Sequence, residues 1–125
     1  MMGPNLYQIV KSDSNLVNLL GVDDSGEPRF YPFGRSEEDS KFDKYAFYNL
    51  DSTEFQTVLE GSSKSDLYSC GIVVIAKSSS DANSIAEALI NCLEPYGNFQ
   101  NFFTDYDYET RKYVISLSFD IFVDR

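Results

Sequence analysis

The chain has 125 residues, and its 20 Asp and Glu against 10 Lys and Arg give a formal net charge of −10 and a pI near 4.2. This length fits a single domain over residues 1–125, and an apolar content of 42% can supply its core. The charge argues against nucleic-acid binding through phosphates and against attraction to anionic membranes. A role in solubility alone would also account for it.

The N-terminal segment predicts one broken helix or two short helices over Pro4–Leu20. Apolar residues recur at helical spacing there, Ser12-Asp13-Ser14 interrupts them, and Gly21 suits a helix C-terminus. Arg29-Phe30-Tyr31 is predicted to be a short extended piece, because a proline follows it. Residues 33–44 then form a polar loop.

Two strands are predicted in the middle of the chain. Tyr45–Leu50 is rich in aromatic residues, and Cys70–Ala76 is a β-branched run typical of a buried strand. The stretch from 51 to 66 is the hardest to interpret. One interpretation is a strand arm with its tip at Gly61, which would extend the two strands into a projecting hairpin.

The chain changes period after the buried strand. Ser78-Ser79-Ser80 offers hydroxyls for a helix N-cap, and Asp81 places negative charge in the first turn. An apolar stripe follows at three- and four-residue spacing: Ala82, Ile85, Ala86, Leu89, Cys92 and Leu93. Pro95 and Gly97 predict the end of this helix, which must lay its stripe on the sheet.

The C-terminal third predicts two more strands and the turn between them. Phe99–Tyr108 is an aromatic strand, Glu109–Arg111 is a turn, and Tyr113–Asp124 alternates apolar and polar residues with a period of two. The predicted fold class is therefore α+β: a mainly antiparallel four-stranded sheet with helices packed on one face.

The sequence contains few residues in patterns that suit catalysis or metal binding. Histidine is absent, which removes the commonest general base and metal ligand. Cys70 and Cys92 are interpreted as buried free thiols, with a strand-to-helix disulfide as the alternative. The carboxylates of Asp105–Glu109 resemble a calcium loop but fit a solvated hairpin end better. We therefore predict a protein that is not an enzyme and has no cofactor and no metal. The less favoured interpretation is an enzyme that uses carboxylates alone.

Segments along almost the whole chain resemble the tail-terminator, or tail-completion, proteins of long-tailed bacteriophages. The segments are LYQIVKSDSNLVNLLG, RFYPF, KYAFYNL, the strand-to-helix unit with Ala76-Lys77 and Ala86-Glu87-Ala88, and the closing YDYETRKYVISLSFDIFVDR. They are patterns of residue types in a given order rather than invariant chemistry. The stretch Asp51–Asp66 departs from the family pattern.

The resemblance implies a structural virion protein. Such proteins form a ring, commonly six-fold, on the head-proximal end of the tail tube, stop tube growth and join tail to head. The implied partners are other copies of the chain in a homohexameric ring, the tail tube protein, and a head-completion or connector protein. DNA would pass through the ring without specific binding. The implied location is the virion tail, assembled in the bacterial host cytoplasm.

Five residues are the candidate assembly or partner surface: Phe55, Val58, Leu59, Tyr48 and Asp120. The first three lie on the predicted arm, Tyr48 on the aromatic strand, and Asp120 on the polar face of the last strand. The alternative function is a small acidic adaptor or inhibitor module that binds a basic partner.

Overall fold

The computed structural model describes residues 5–32, 42–52 and 65–124. These residues form three α-helices and five strands, in an α+β arrangement. In chain order they are α1 (Leu6–Lys11), α2 (Ser14–Leu20), β1 (Phe30–Pro32), β2 (Lys44–Ser52), β3 (Ser65–Ala76), α3 (Ser79–Leu93), β4 (Gly97–Asp107) and β5 (Lys112–Asp124). A 3-10 turn, Glu94–Tyr96, joins α3 to β4.

The sheet has the strand order β1-β2-β3-β5-β4 and is mixed. β1 runs parallel to β2, and the other three pairs are antiparallel. The sheet is mainly antiparallel, as predicted, but the predicted count of four strands is wrong, because β1 adds a fifth strand that runs parallel to β2. The sequence predicts the extended piece before Pro32. Three residues are too few, however, for an alternation of apolar and polar side chains to identify that piece as a strand of the sheet. The backbone N–H of Ala46 donates to the carbonyl of Arg29 at 2.9 Å.

The N-terminal segment forms two short helices, as one of the two predictions had it. Asn5 caps α1 by accepting from the N–H of Gln8, and Asp13 caps α2 by accepting from the N–H of Leu16 at 3.1 Å. Gly21 ends α2 with a φ of 82°, a left-handed conformation that glycine adopts without steric cost. The caps explain why the break falls between Lys11 and Ser14.

The core lies between the helices and one face of the sheet. Helix α3 contributes its apolar stripe and β5 its odd-numbered residues, as the two periodicities predicted. β3 contributes its even-numbered residues from Tyr68 to Ala76, whereas Val73 and Ile75 on its other face are half-buried. The largest fully buried side chains are Phe30, Phe119, Leu6, Leu16, Leu20, Ile72, Ile85, Leu89, Leu93, Leu117, Ile121 and Val10. On the opposite face of β5, Ser118 is exposed and Ser116 is half-buried, in agreement with the predicted polar side.

The predicted arm falls mostly outside the described residues. β2 and β3 do pair as antiparallel neighbours, with a register that runs from Lys44 opposite Ala76 to Ser52 opposite Tyr68. β4 and β5 form the predicted C-terminal hairpin. Within its turn region, an Asp107 carboxylate oxygen accepts from the N–H of Glu109 at 3.0 Å, as expected of a solvated hairpin end.

Replacement of Ser78 by alanine should destabilise the protein by about 1 kcal/mol. The Ser78 hydroxyl accepts from the N–H of Asp81 and caps α3, so the variant leaves that donor without its partner. Chemical unfolding followed by circular dichroism measures the effect. Ser80→Ala is the control, because that exposed serine lies two residues further along, within the first turn, without the capping role. Equal losses in both variants would contradict the assignment.

Candidate assembly surface

Strand β4 is the long exposed edge of the sheet. Among the described strands it pairs only with β5, so its outer N–H and carbonyl groups have no strand partner there. Three phenylalanines lie on it with large exposed fractions: 37% for Phe99, 61% for Phe102 and 69% for Phe103. An exposed strand edge with apolar side chains is a ready template for another chain.

The first eight residues of β4 lack the usual protection of an edge strand. Gly97–Thr104 contains no charged residue and no proline, whereas natural edges are commonly blocked by Lys, Pro or a short length. An irregularity in the register between Phe99 and Asn101 leaves Gln100 unpaired with β5. The Gln100 amide instead donates to an Asp120 carboxylate oxygen at 2.9 Å.

A furrow runs between α3 and β4 on the helix-bearing side of the sheet; we call it the β4 furrow. Its main pocket has a volume of about 290 Å³ and is lined by Asn83, Ala86, Glu87, Ile90, Phe102, Ile115 and Leu117. A second pocket of about 220 Å³ shares Asn83 and Ile115 and extends toward Thr104 and Tyr113. The furrow exists because the sheet is one strand wider than the surface that α3 covers.

Carboxylates surround the β4 edge. They lie on α3, on β4, in the turns at both ends of β4 and on β5: Glu87, Glu94, Asp105, Asp107, Glu109 and Asp120. The cations of this region are Arg111, which is exposed in the turn, and Lys112, which is buried. The edge is therefore apolar along its centre and strongly negative around it.

Lys112 is buried on the sheet face that bears no helix. Its ammonium donates to the carbonyl of Phe42 at 3.1 Å and lies 5.4 Å from the ring centre of Tyr45, which is also buried. Burial lowers the pKa of Lys112, and the nearby charge of Lys77 lowers it further, whereas Asp43 and Asp107 oppose the shift. Of the carboxylates around the edge, Asp107 is therefore one that interacts with this buried ammonium.

The two described residues of the predicted surface, Tyr48 and Asp120, lie on opposite faces of the sheet. Tyr48 is half-buried in β2, where its ring stacks on Phe30 with centroids 4.7 Å apart, and burial raises the pKa of its hydroxyl. Asp120 is half-buried on β5, and the register places it on the opposite face of the sheet from Tyr48. Phe55, Val58 and Leu59 lie outside the described residues.

The exposed phenylalanines of β4 were not among the predicted surface residues. The sequence shows the aromatic content of this strand but not whether the strand is internal or at an edge. The available signal is composition: Phe residues separated by Asn and Gln, without the regular alternation of β5. Such a pattern fits a strand with little burial on either face.

Both cysteines are free thiols in the structure, as the preferred interpretation had it, but only Cys70 is buried and Cys92 is half-buried. Burial raises the pKa of Cys70 from its ordinary 9.0 to about 12. Burial also raises the pKa of Cys92 to about 11, and the Asp13 carboxylate adds to that shift. The neutral thiol is favoured in both cases, which is the opposite of what a nucleophilic cysteine needs.

We expect both thiols to react slowly with a thiol reagent at pH 8. A pKa about two units above the ordinary value lowers the thiolate fraction of Cys92 about a hundredfold. Reaction rates of C70S and C92S variants measure each thiol separately, and the urea-unfolded chain is the control for intrinsic reactivity. A rate in the folded protein equal to that of the unfolded chain would contradict this.

The described residues contain no group of three or more His, Cys, Asp or Glu side chains arranged to hold a metal ion. Within the same residues, no helix combines the length and the apolar character that crossing a bilayer would require. Among the described residues, the β4 edge with its furrow combines an exposed strand with exposed apolar side chains.

Comparison with known proteins shows a likeness in structure. No protein-family model matches the chain, and no curated protein matches it. Among solved structures, it is similar to a chain described as "Virion of native gene transfer agent (GTA) particle", with a TM-score of 0.63 and 17% sequence identity. The match covers 96% of this chain and 92% of that one. The α+β fold described above is therefore one that also occurs in a gene transfer agent virion.

Proposed function

We propose that this protein is a structural component of a phage-like virion. More specifically, it forms a ring on the head-proximal end of the tail tube, stops growth of the tube and joins the tail to the head. The observation that carries the proposal is the similarity in fold to a gene transfer agent virion chain over 96% of this protein. The resemblance of its sequence segments to tail terminators supplies the more specific role.

The shape of the protein suits assembly into a ring. A closed ring requires each subunit to bring one surface against a different surface of its neighbour. The sheet has two chemically different edges: β1 is short and pairs in parallel with β2, whereas β4 is long and exposed. This asymmetry supports the homohexameric assembly of the proposal, with the tail tube protein and a head-completion or connector protein as its further partners.

The charge of the protein suits a channel for DNA. With a net charge of −10 per subunit, a ring would repel phosphates and let DNA pass without binding it. The proposed function involves no catalysis, and the raised pKa values of both thiols fit that proposal. The protein's place would be the virion tail, after assembly in the bacterial host cytoplasm.

Polymerisation of the tail tube protein tests the proposed function. Tubes assembled from that protein with and without this chain are compared by electron microscopy, and an unrelated acidic protein of similar size is the control. The proposal predicts shorter tubes, each with extra ring-shaped density at one end, only when this chain is present. Tubes of unchanged length with bare ends would refute it.

The alternative is a small acidic adaptor or inhibitor module, which the carboxylates around β4 would also suit. Light scattering of the chain mixed with tail tubes separates the two functions. A ring-forming protein should add mass to the tubes as a multimer, whereas an adaptor should bind a basic partner as a monomer and leave the tubes unchanged.

A further inference from the structure

The exposed backbone of β4 and the β4 furrow beside it form one continuous surface. The edge offers unpaired backbone groups along a strand of eleven residues, and the furrow offers an apolar pocket next to Phe102. Strand addition to an exposed edge gains affinity from main-chain hydrogen bonds and specificity from pockets for alternate side chains. β4 has both elements.

The charges around this surface favour one kind of occupant. Glu87 lines the furrow on its helix side, Asp105 and Asp107 lie on the C-terminal part of β4, and Glu94 precedes the strand. Among the residues that the structure describes, no lysine or arginine lines either pocket of the furrow. An incoming segment with basic residues on both sides of an apolar one would meet opposite charge along its length.

A second copy of this chain fits the edge less well. If two β4 strands paired in antiparallel fashion about Phe102, Asp107 of one copy would lie beside Gly97 of the other, close to its Glu94. Asp107 of one copy and Glu94 of the other would then lie near each other at both ends of the pairing, and like charges close together disfavour association.

We infer that the β4 edge binds an extended, basic segment of a different protein, which adds to the sheet next to β4. One apolar side chain of the segment enters the β4 furrow against Phe102, and flanking basic side chains pair with Glu87 and with the Asp105–Asp107 end. The identity of the partner as another virion protein rests on the proposed function. The binding chemistry rests on the edge alone.

A synthetic peptide tests the inference. The probe alternates Val and Thr between a Lys at each end, with both termini blocked, and the control peptide carries Glu in place of each Lys. We expect the Lys peptide to protect the outward amides of β4 from hydrogen exchange. We also expect it to bind about tenfold more tightly than the Glu peptide at low salt, with a smaller difference at high salt.

Two variants of the same strand make the test specific. Phe102→Ser should weaken binding of the Lys peptide about tenfold, because it removes a wall of the furrow. Phe103→Ser is the matched control: Phe103 is equally exposed, but the register turns it to the other face of the sheet. Thermal unfolding of both variants checks that the fold is kept.

Three results would overturn the inference: no protection of β4, equal affinity for the Lys and Glu peptides, or an equal loss from both Phe variants. Pairing of β4 with β4 of a second copy, seen as protection that grows with protein concentration in the absence of peptide, would also overturn it. The peptide assay measures binding at the β4 edge in the absence of tail tubes. If the peptide assay fails but the chain caps the tubes, the inference about β4 is wrong and the proposed function stands. If the peptide binds as expected but the tubes are not capped, the proposed function is wrong and the inference about β4 stands.

Discussion

Replacement of Leu89 by alanine should lower the free energy of unfolding by about 2–5 kcal/mol. Leu89 is fully buried on the stripe of α3 that packs on the sheet, and it belongs to the same core cluster as Ile72 and Leu117. The loss combines the lost transfer free energy of the removed atoms with the cost of the cavity left behind. It is large beside a total stability of about 5–15 kcal/mol for a typical domain.

Chemical denaturation followed by circular dichroism measures this loss, with Asn91→Ala as the control. Asn91 lies on the exposed side of the same helix, so its replacement should change stability by no more than about 0.5 kcal/mol. The comparison separates packing from helix propensity, because both variants introduce the same residue into α3. A small loss for Leu89→Ala would show that α3 does not hold the core against the sheet.

Replacement of Gly97 by alanine should destabilise the protein by about 1–3 kcal/mol and displace the start of β4. A Cβ at this position would overlap the backbone carbonyl oxygen of Asp120 and would lie 2.8 Å from the Cα of Ile121. Because both obstacles are backbone atoms of the paired strand β5, they cannot turn aside as a flexible side chain would. Relief requires a shift of one strand relative to the other.

Gly71→Ala is the matched control for this variant. Gly71 also lies within a strand of the sheet, but a Cβ added there meets nothing within 4 Å. We expect that variant to be neutral or slightly more stable, because glycine within a strand costs conformational entropy. Amide chemical shifts in β4 locate the disturbance, and unchanged shifts with unchanged stability in Gly97→Ala would contradict the close approach of the two strands.

The regular elements could be predicted from local patterns. The stripe of α3, the serine cap before it and the alternation of β5 each depend on neighbours in the chain, so the sequence shows them directly. The caps at Asp13 and the end at Gly21 are of the same kind. These local features are sufficient to predict a core between the helices and one face of the sheet.

The order of strands could not be predicted in the same way, because it depends on contacts between distant residues. The position of β4 at the edge decides that Phe102 is exposed, although the same residue in an internal strand would be buried. The parallel pairing of β1 with β2 likewise depends on contacts that no local pattern shows.

The burial of Lys112 also could not be predicted from local sequence patterns. A lysine next to a turn is normally exposed, but the Phe42 carbonyl and the Tyr45 ring make its burial tolerable. Both partners are distant in the sequence, so no local pattern could have indicated them. The candidate site was missed for the same reason: its exposed phenylalanines become a surface only through the placement of β4 in the sheet.

Labelling of intact particles tests the central claim most directly. An epitope-tagged copy of this chain is expressed during particle assembly, and purified particles are imaged with gold-labelled antibody. The account predicts that the label lies at one place on each particle, the junction of head and tail. Particles without label, while the tagged chain remains entirely in the particle-free fraction, would contradict the claim that this protein is built into a virion.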